Sequence, residues 1–294
     1  MTYLYLVLTT FFWAATFHLG KYAVAYMSPL SVGAWRFLIA GAVLAVYLCA
    51  KKEWDTQAVR RNLWGIIAMG VIGVFGFNVA LFYGLTLTSS VNAALIMAFY
   101  PAMTAIMSSL LSGEKILPRQ LLGFAISLSG VVVIVTHGSL HNLLTLSVSS
   151  GDLIMLVGCA CFALYSVIPK RFVHNVPSLL LTASTIIVGA LMLTLTASIV
   201  SNDLFIVPST NVSLTIVAMA LFGSVLAYMW WNQGIARIGA TRAAIFGNLI
   251  PVFSSLIGVA LGQSLSIAQL VGAALVITGV IATMNSTPQN KTTA

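Results

Sequence analysis

Apolar residues fill ten stretches of about 20 residues between residues 3 and 285, and short polar segments separate them. A helix of about 20 apolar residues is long enough to cross the hydrocarbon core of a bilayer. A transmembrane β-barrel would instead show alternating segments of about ten residues, and the chain lacks that pattern. The pattern therefore predicts an all-α integral membrane protein with spans at 3–26, 30–50, 62–84, 89–112, 119–137, 151–172, 177–201, 211–236, 240–262 and 266–285.

The composition agrees with this interpretation and excludes a water-soluble fold. Of the 294 residues, 60% are hydrophobic and 6% are charged, and the mean hydropathy is +1.05. The segments between the predicted spans are short, so no extramembrane domain is expected to carry a separate activity.

The net charge of +8 is a topology signal rather than a nucleic-acid-binding surface. If the ten spans alternate in direction, eleven basic residues fall on one side of the membrane: Lys51, Lys52, Arg60, Arg61, Lys115, Arg119, Lys170, Arg171, Arg237, Arg242 and Lys291. Basic residues near span ends are retained in the cytoplasm. The pattern predicts that both termini are cytoplasmic and that anionic lipids contact this side.

The chain repeats itself at an offset of about 150 residues. The segment 84–95 resembles the segment 234–245, and the mid-span prolines Pro101 and Pro251 follow at the same offset. Each copy holds five spans, and an odd number forces the second copy to insert upside down. We therefore predict two inverted five-helix repeats, 1–140 and 150–286, followed by a cytoplasmic tail, 287–294. Inverted repeats are the architecture that alternating-access transporters use.

An ordered set of short motifs carries a family resemblance over essentially the whole chain. The set comprises Phe12–Phe17, Trp35–Leu38, Tyr83–Leu85, Ala93–Leu95, Tyr100–Pro101, Gly113–Lys115 and Gln120–Gly123 in the first half, and Gly234, Ala243–Ala244, Pro251, Gly262–Gln263 and Gln269–Gly272 in the second. The chain resembles the EamA-like, ten-helix branch of the drug/metabolite transporter superfamily. It departs from the family at Gln263, where the second copy usually carries Glu.

The resemblance implies an exporter or facilitator of small metabolites, often amino acids, in the bacterial inner membrane. It implies a central cavity lined by spans 1, 3, 4, 6, 8 and 9. The expected partners are a small-molecule substrate and membrane lipids, with no nucleic acid, no cofactor, and a monomer or weak homodimer. A translocator of lipids or lipid-linked sugars is the alternative, which a cavity open sideways between helices would favour.

Polar and aromatic residues within the spans are the candidates for substrate binding and gating. The predicted substrate-binding residues are Trp13, Phe17, His18, Asn78, Tyr83, Tyr100, Tyr165, Tyr228 and Asn248. The predicted hinges are Pro101 and Pro251, since proline removes a backbone donor and bends its helix; a static bend is the competing interpretation. A cavity rich in aromatic groups and poor in charge suits apolar or zwitterionic substrates.

Two intramembrane charges, Arg36 and Lys21, complete the candidate set. A charge at depth in a bilayer is costly, and no buried acidic residue is predicted to pair with Arg36. Arg36 therefore has either a structural role or faces a substrate carboxylate. His18 is the one residue deep in a span with an ordinary pKa near 6.5, so transport is expected to be facilitative or weakly coupled to protons.

Catalytic chemistry has no visible basis in the sequence. No phosphate-binding loop, no cluster with metal-ligand spacing and no nucleophile–base set is discernible. A membrane-embedded enzyme would need such a set near one interface. We therefore predict a protein that is not an enzyme and has no metal site.

Overall fold

The structure is a computed structural model that describes residues 1–88, 90–146 and 149–285, with the side chains of 90 and 91 left out. Residue 89, the predicted start of span 4, and the predicted tail with Lys291 lie outside the described residues. Ten helices in the described part are long and apolar enough to cross a membrane: Thr2–Ala23, Pro29–Ala50, Leu63–Leu87, Asn92–Ser112, Pro118–Thr136, Ser150–Phe172, Ser178–Val200, Thr210–Ile238, Ala240–Ala260 and Ile267–Met284. They are spans 1 to 10, and the prediction of ten spans is confirmed.

Local sequence signals explain where several spans begin. Proline opens spans 2 and 5, where its missing N–H costs nothing. Ser149 caps span 6 and Ser266 caps span 10, each in a capping box with an acidic or amide side chain three residues on. Two short helices, Thr56–Arg61 and Leu140–Leu144, lie in the connections after spans 2 and 5.

Contacts between span ends show that the two halves run in opposite directions. Thr2 at the start of span 1 accepts a hydrogen bond from Arg237 at the end of span 8. Asp152 in the first turn of span 6 contacts Thr88 at the end of span 3, and Lys170 near the end of span 6 pairs with Glu114 after span 4. Span 6 therefore runs antiparallel to span 1. We call the side with Thr2 and Lys170 the basic face and the other side the opposite face.

Matching irregularities recur in the two halves at the predicted offset. Span 3 widens into a π-helical segment at Met69–Gly76, and span 8 does so at Met219–Leu226. The two segments start 150 residues apart. Spans 4 and 9 are both interrupted just before their prolines, at Phe99 and over Ile245–Leu249. A π segment often marks a functional part of a helix, so these paired irregularities are candidates for the moving parts.

Close helix contacts at glycines repeat in the same way. Each such contact has a counterpart in which both residues are replaced by the equivalent residues of the other half, 149 or 150 positions away. The contact Gly73–Tyr165 corresponds to Gly223–Thr16, the contact Gly84–Met155 to Gly234–Leu6, and the contact Gly123–Gly279 to Gly130–Gly272. The third pair joins spans 5 and 10, the most extensively packed pair of helices. These matched contacts are the arrangement expected of two inverted repeats.

Gly130→Ala should destabilise the protein, because it pushes spans 5 and 10 apart. A Cβ atom at Gly130 would lie 2.6 Å from the carbonyl oxygen of Gly272 and 2.7 Å from the backbone nitrogen of Val276. Overpacking of this kind costs about 1–3 kcal/mol. The expected result is a lower melting temperature of the purified protein.

Gly20→Ala is the matched control within span 1. Its Cβ would meet only the end of the flexible Met219 side chain, at 3.5 Å. Because glycine weakens a helix interior by roughly 0.5–1 kcal/mol relative to alanine, this variant should be neutral or slightly stabilised. Equal melting temperatures for the two variants would contradict close packing of spans 5 and 10.

Candidate functional site

Six aromatic side chains from spans 1, 4, 6 and 8 pack together where the two halves meet. We call them the aromatic cluster: Trp13, Tyr100, Phe162, Tyr165, Tyr228 and Trp231. All six are buried. The rings of Trp13 and Trp231 lie 4.9 Å apart, and Phe162 stacks on Tyr165 at 5.8 Å. Since both halves contribute, a relative movement of the halves must rearrange this cluster.

A serine on span 6 joins two of these rings by hydrogen bonds. The hydroxyl of Ser166 lies 2.7 Å from that of Tyr100 and accepts a bond from Nε1 of Trp231 at 3.2 Å. Buried aromatic residues with a polar end need such a partner. Ser166 thereby fixes the Tyr100 and Trp231 side chains on spans 4 and 8.

Arg36 is buried beside the cluster and uses the π segment of span 8 as its partner. Its Nε donates to Oγ of Ser224 at 2.7 Å, and its Nη2 donates to the carbonyl oxygen of Gly223 at 3.0 Å. Nε1 of Trp13 donates to the same carbonyl at 3.1 Å. A π segment leaves carbonyl groups available for such bonds. Within the described residues, the guanidinium is therefore held by polar groups and has no acidic partner.

A cavity of about 620 Å³ lies against the cluster and reaches the basic face. Ser166 and Asn232 line its inner end, and Glu114 and Lys170 line its mouth. Its volume falls in the usual range for small-molecule sites. Glu114 and Lys170, the charged residues that line it, form an ion pair with each other, so the inner end presents uncharged polar groups.

Hydrogen bonds around Asp203 join two connections at the opposite face. The carboxylate accepts from Oγ of Ser28 at 2.7 Å and from Oγ of Ser31 at 2.6 Å, which ties the connection after span 7 to the start of span 2. Burial opposes ionisation, but these hydrogen bonds outweigh it and hold the pKa of Asp203 below its ordinary value. The cavity thus lies at the basic face, while Asp203 holds elements together at the other.

Glu114 ties together three elements at the cavity mouth. It pairs with Lys170 and accepts hydrogen bonds from Ser108 at 2.6 Å and Thr241 at 3.4 Å. Partial burial on its own would raise the pKa of the carboxyl group. The hydrogen bond and charge of Lys170, with the hydroxyl donors, outweigh burial and lower that pKa below its ordinary value of 4.5.

The lowered pKa of Glu114 predicts a loss of stability in acid. Such a group stabilises the folded state fully above its ordinary pKa, and the contribution disappears as pH falls through the lowered folded-state pKa. Wild type should therefore be more stable than Glu114→Gln near pH 7, and the difference should shrink below about pH 4.5. Thermal unfolding from pH 7 to pH 3 measures this, with the exposed Glu53→Gln as control. A difference independent of pH would contradict the assignment.

The structure brings together only some of the predicted site residues. Trp13, Tyr100, Tyr165 and Tyr228 belong to the aromatic cluster. Asn78 is buried in span 3 and donates to the carbonyl oxygen of Val74 at 2.7 Å.

Other predicted site residues lie away from the cluster. Phe17 and Tyr83 are each 44% exposed. Asn248 points to span 5, where it donates to Ser127 at 2.9 Å. His18 lies 3.0 Å from Oγ of Ser254 on span 9, and Lys21 is exposed at the opposite face.

Sequence reasoning did not select four residues that the structure places at the site. They are Phe162, Ser166, Trp231 and Asn232. On span 6, Tyr165 and Ser166 follow Phe162 by three and four residues, so both lie next to Phe162 on one face of the helix. That spacing was the available signal, but a single serine in an apolar helix does not stand out without the packing around it.

Comparison with known proteins gives a consistent result. The sequence profile of the EamA-like transporter family matches residues 1–136 and 149–285. The uncharacterized transporter YyaM of Bacillus subtilis is 40% identical over 283 residues, which cover 95% of this chain and 92% of YyaM. A solved crystal structure matches with a TM-score of 0.81 at 23% identity, over 96% of this chain and 95% of that one.

Two more distant relatives have named substrates. The S-adenosylmethionine/S-adenosylhomocysteine transporter of Chlamydia trachomatis serovar L2 is 27% identical over 87% of this chain and 81% of its own length. The aromatic amino acid exporter YddG of Ancylobacter novellus is 25% identical over 90% of this chain and 92% of its own. With its ten spans and a profile match over both halves, this chain belongs to the EamA-like transporter family and is a multi-pass membrane transporter, not an enzyme.

Proposed function

We propose that this protein is a secondary transporter that exports or facilitates small metabolites by alternating access, with amino acids that carry aromatic or apolar side chains as the substrate class. The observation that carries the proposal is the cavity at the basic face, whose inner end is lined by Ser166 and Asn232. Both side chains hydrogen-bond to rings of the aromatic cluster, which lies directly behind them. Apolar walls with a few placed polar groups suit a ligand with an apolar body and a small polar end.

The relatives support this substrate class. One relative is named as an exporter of aromatic amino acids and another as a transporter of S-adenosylmethionine and S-adenosylhomocysteine. All of these molecules combine an α-amino acid group with an aromatic ring. For this chain we assign the ring to the aromatic cluster and the polar end to the inner end of the cavity.

The proposed site contains Trp13, Tyr100, Tyr165 and Tyr228, with Asn78 behind them on span 3. Phe17 and Tyr83 are left out of it, because their side chains are exposed and do not pack in the aromatic cluster. His18 and Asn248 are assigned to contacts between helices that must break or re-form during exchange, since each bonds to another span.

Counterflow in proteoliposomes tests the proposal. Vesicles loaded with unlabelled L-phenylalanine should accumulate external labelled L-phenylalanine, and L-tryptophan or S-adenosylmethionine should compete better than L-glutamate. An imposed pH gradient should add little to the accumulation of labelled substrate, because proton coupling is proposed to be weak, with His18 as its route. Absence of counterflow with every amino acid, together with movement of a fluorescent lipid between leaflets, would favour the alternative of a lipid translocator.

The repeats 1–140 and 150–286 are the proposed moving halves, in a monomer or weak homodimer of the bacterial inner membrane. The basic face is assigned to the cytoplasm, with both termini, because the basic residues concentrate there. A cysteine introduced at Thr145, in the connection after span 5, should then react with an impermeant reagent from the periplasm in a Cys49→Ser background. Labelling from the cytoplasm alone would reverse the orientation.

Pro101→Ala and Pro251→Ala should each slow exchange while leaving the fold nearly intact. Both prolines follow a break in their span and remove one backbone hydrogen bond. Restoring that bond would stabilise a straight helix by about 0.5–1.5 kcal/mol, which corresponds to roughly threefold to tenfold slower exchange. Initial counterflow rates measure this.

Pro118→Ala is the control for these variants. This proline stands in the first turn of span 5, where the missing N–H is tolerated, and transport should be unchanged. Wild-type counterflow rates in both hinge variants would show that Pro101 and Pro251 are static bends.

A further inference from the structure

Asn232 on span 8 has a buried side-chain amide whose nitrogen is hydrogen-bonded and whose oxygen is not. The side chain is 3% exposed. Its Nδ2 donates to the hydroxyl oxygen of Tyr165 at 2.7 Å and to Oγ1 of Thr182 at 2.9 Å. Both amide hydrogens are thereby used. Its Oδ1 has no hydrogen-bond partner among the described residues.

The hydrogen bonds of Thr182 fix which way this amide points. The Thr182 hydroxyl donates its single hydrogen to the carbonyl oxygen of Ser178 at 2.7 Å. It can therefore only accept from Asn232, so the nitrogen end of the amide must face Thr182. The oxygen end is the one left over, and Asn232 lines the inner end of the cavity beside Ser166.

A buried carbonyl oxygen without a donor is costly, and a ligand that supplies a donor removes the cost. The charged groups that line the cavity, Glu114 and Lys170, pair with each other at the mouth, so the inner end is lined by uncharged groups. The Tyr165 ring lies beside the amide, because its hydroxyl oxygen accepts from Nδ2 of Asn232, and aromatic rings also attract cations.

We propose that Asn232 binds the ammonium group of the transported substrate through Oδ1, and so selects amines over deaminated acids. This inference rests on the proposed function and refines its substrate class. The carboxylate of the substrate is not required for the contact, so an amine without a carboxylate should bind, and a carboxylate without an amine should not.

Three ligands with the same phenyl ring separate these cases: L-phenylalanine, phenethylamine without the carboxylate, and 3-phenylpropionate without the ammonium. Binding to the purified full chain is followed by quenching of tryptophan fluorescence, and transport by counterflow in proteoliposomes. For wild type we expect L-phenylalanine and phenethylamine to bind at least about 10-fold more tightly than 3-phenylpropionate, as for a hydrogen bond to a charged group.

Asn232→Leu has a similar volume and removes the acceptor, so it should abolish the preference for amines. Asn232→Asp keeps an acceptor at this position, since the hydroxyl of Tyr165 can rotate to donate to one carboxylate oxygen and Thr182 can donate to it by giving up its bond to the carbonyl oxygen of Ser178. This variant should retain or strengthen that preference. Ser184→Ala is the control, because Ser184 is another buried oxygen without a partner among the described residues but lies outside the cavity lining. It should bind all three ligands as wild type does.

The outcomes separate this inference from the proposed function. Counterflow of L-phenylalanine with an unchanged amine preference in Asn232→Leu would overturn the role of Asn232 and leave the transport proposal standing. Amine binding that Asn232→Leu removes, without counterflow of any amino acid, would support the site and overturn the transport proposal. Failure of phenethylamine to bind to wild type would overturn the inference, as would an Asn232→Asp protein without an amine preference.

Discussion

Trp13→Ala should abolish transport and lower the free energy of unfolding by about 3–5 kcal/mol, the usual cost of truncating a large buried aromatic residue. The Trp13 ring lies 4.9 Å from that of Trp231 and 5.4 Å from that of Phe162, so its loss leaves a hole at the centre of the aromatic cluster. Its Nε1 also donates to the carbonyl oxygen of Gly223 in the π segment of span 8. Span 1 therefore loses both its packing and its polar link to the other half.

Two further variants separate these contributions. Trp13→Phe keeps an aromatic ring but removes the N–H donor, and should cost only about 1 kcal/mol, the typical net value of one hydrogen bond. Trp230→Ala is the matched control: Trp230 is half-buried on the outer side of span 8 and stacks on Tyr5 at 5.2 Å. It should lose some stability and keep its transport rate per folded molecule.

Measurements on folded protein distinguish a site from a packing defect. Thermal unfolding of each purified variant gives its stability, and counterflow normalised to the folded fraction gives its transport. If Trp13→Ala transports as fast as Trp230→Ala, the aromatic cluster is scaffold and the substrate path lies elsewhere.

The sequence alone determines the spans well, because length and hydropathy are properties of each segment by itself. The predicted and observed span ends differ by no more than three residues. The repeat could also be predicted, since Pro101 and Pro251 share an offset of 150 that the two π segments also show. These features depend on local composition or on comparison of the chain with itself.

The directions of individual side chains were harder to predict, because they depend on how each helix is rotated about its axis. Asn78 and Tyr83 are five residues apart, about 140° around a regular helix, so burial of Asn78 leaves Tyr83 exposed. Hydropathy cannot set this rotation when both faces of a span are apolar. The π segment of span 8 changes the helical register ahead of Trp231 and Asn232, and its position became visible only in the structure.

Arg36→Met should reduce transport at least tenfold while lowering the free energy of unfolding by no more than about 3 kcal/mol. Removing a charge from a helix interior relieves about 2.5–3.5 kcal/mol of insertion cost. Against this stand the two hydrogen bonds of the guanidinium to Ser224 and Gly223, worth about 1.5–3 kcal/mol each because one partner is charged, or about 3–6 kcal/mol together. The opposing effects leave a limited net loss of stability, so a large loss of counterflow normalised to the folded fraction reports on function.

The geometry favours a positioning role for Arg36 over direct contact with a substrate carboxylate. Its Nε and Nη2 are both committed to the π segment of span 8, the part of that span that mirrors the π segment of span 3. Arg36→Lys keeps the charge but loses the planar fork that holds two partners at once, so it should fail almost as completely as Arg36→Met. Both variants should lower the maximal rate more than the apparent affinity.

Comparing two substrates decides between these roles. A positioning residue should affect the transport of L-phenylalanine and of phenethylamine to the same degree, because the π segment must hold its shape whichever ligand is carried. A residue that binds the carboxylate should affect only L-phenylalanine, since phenethylamine has no carboxylate to lose. Selective loss of L-phenylalanine transport in Arg36→Met, with rescue by Arg36→Lys, would therefore contradict the positioning role and place the guanidinium in contact with substrate.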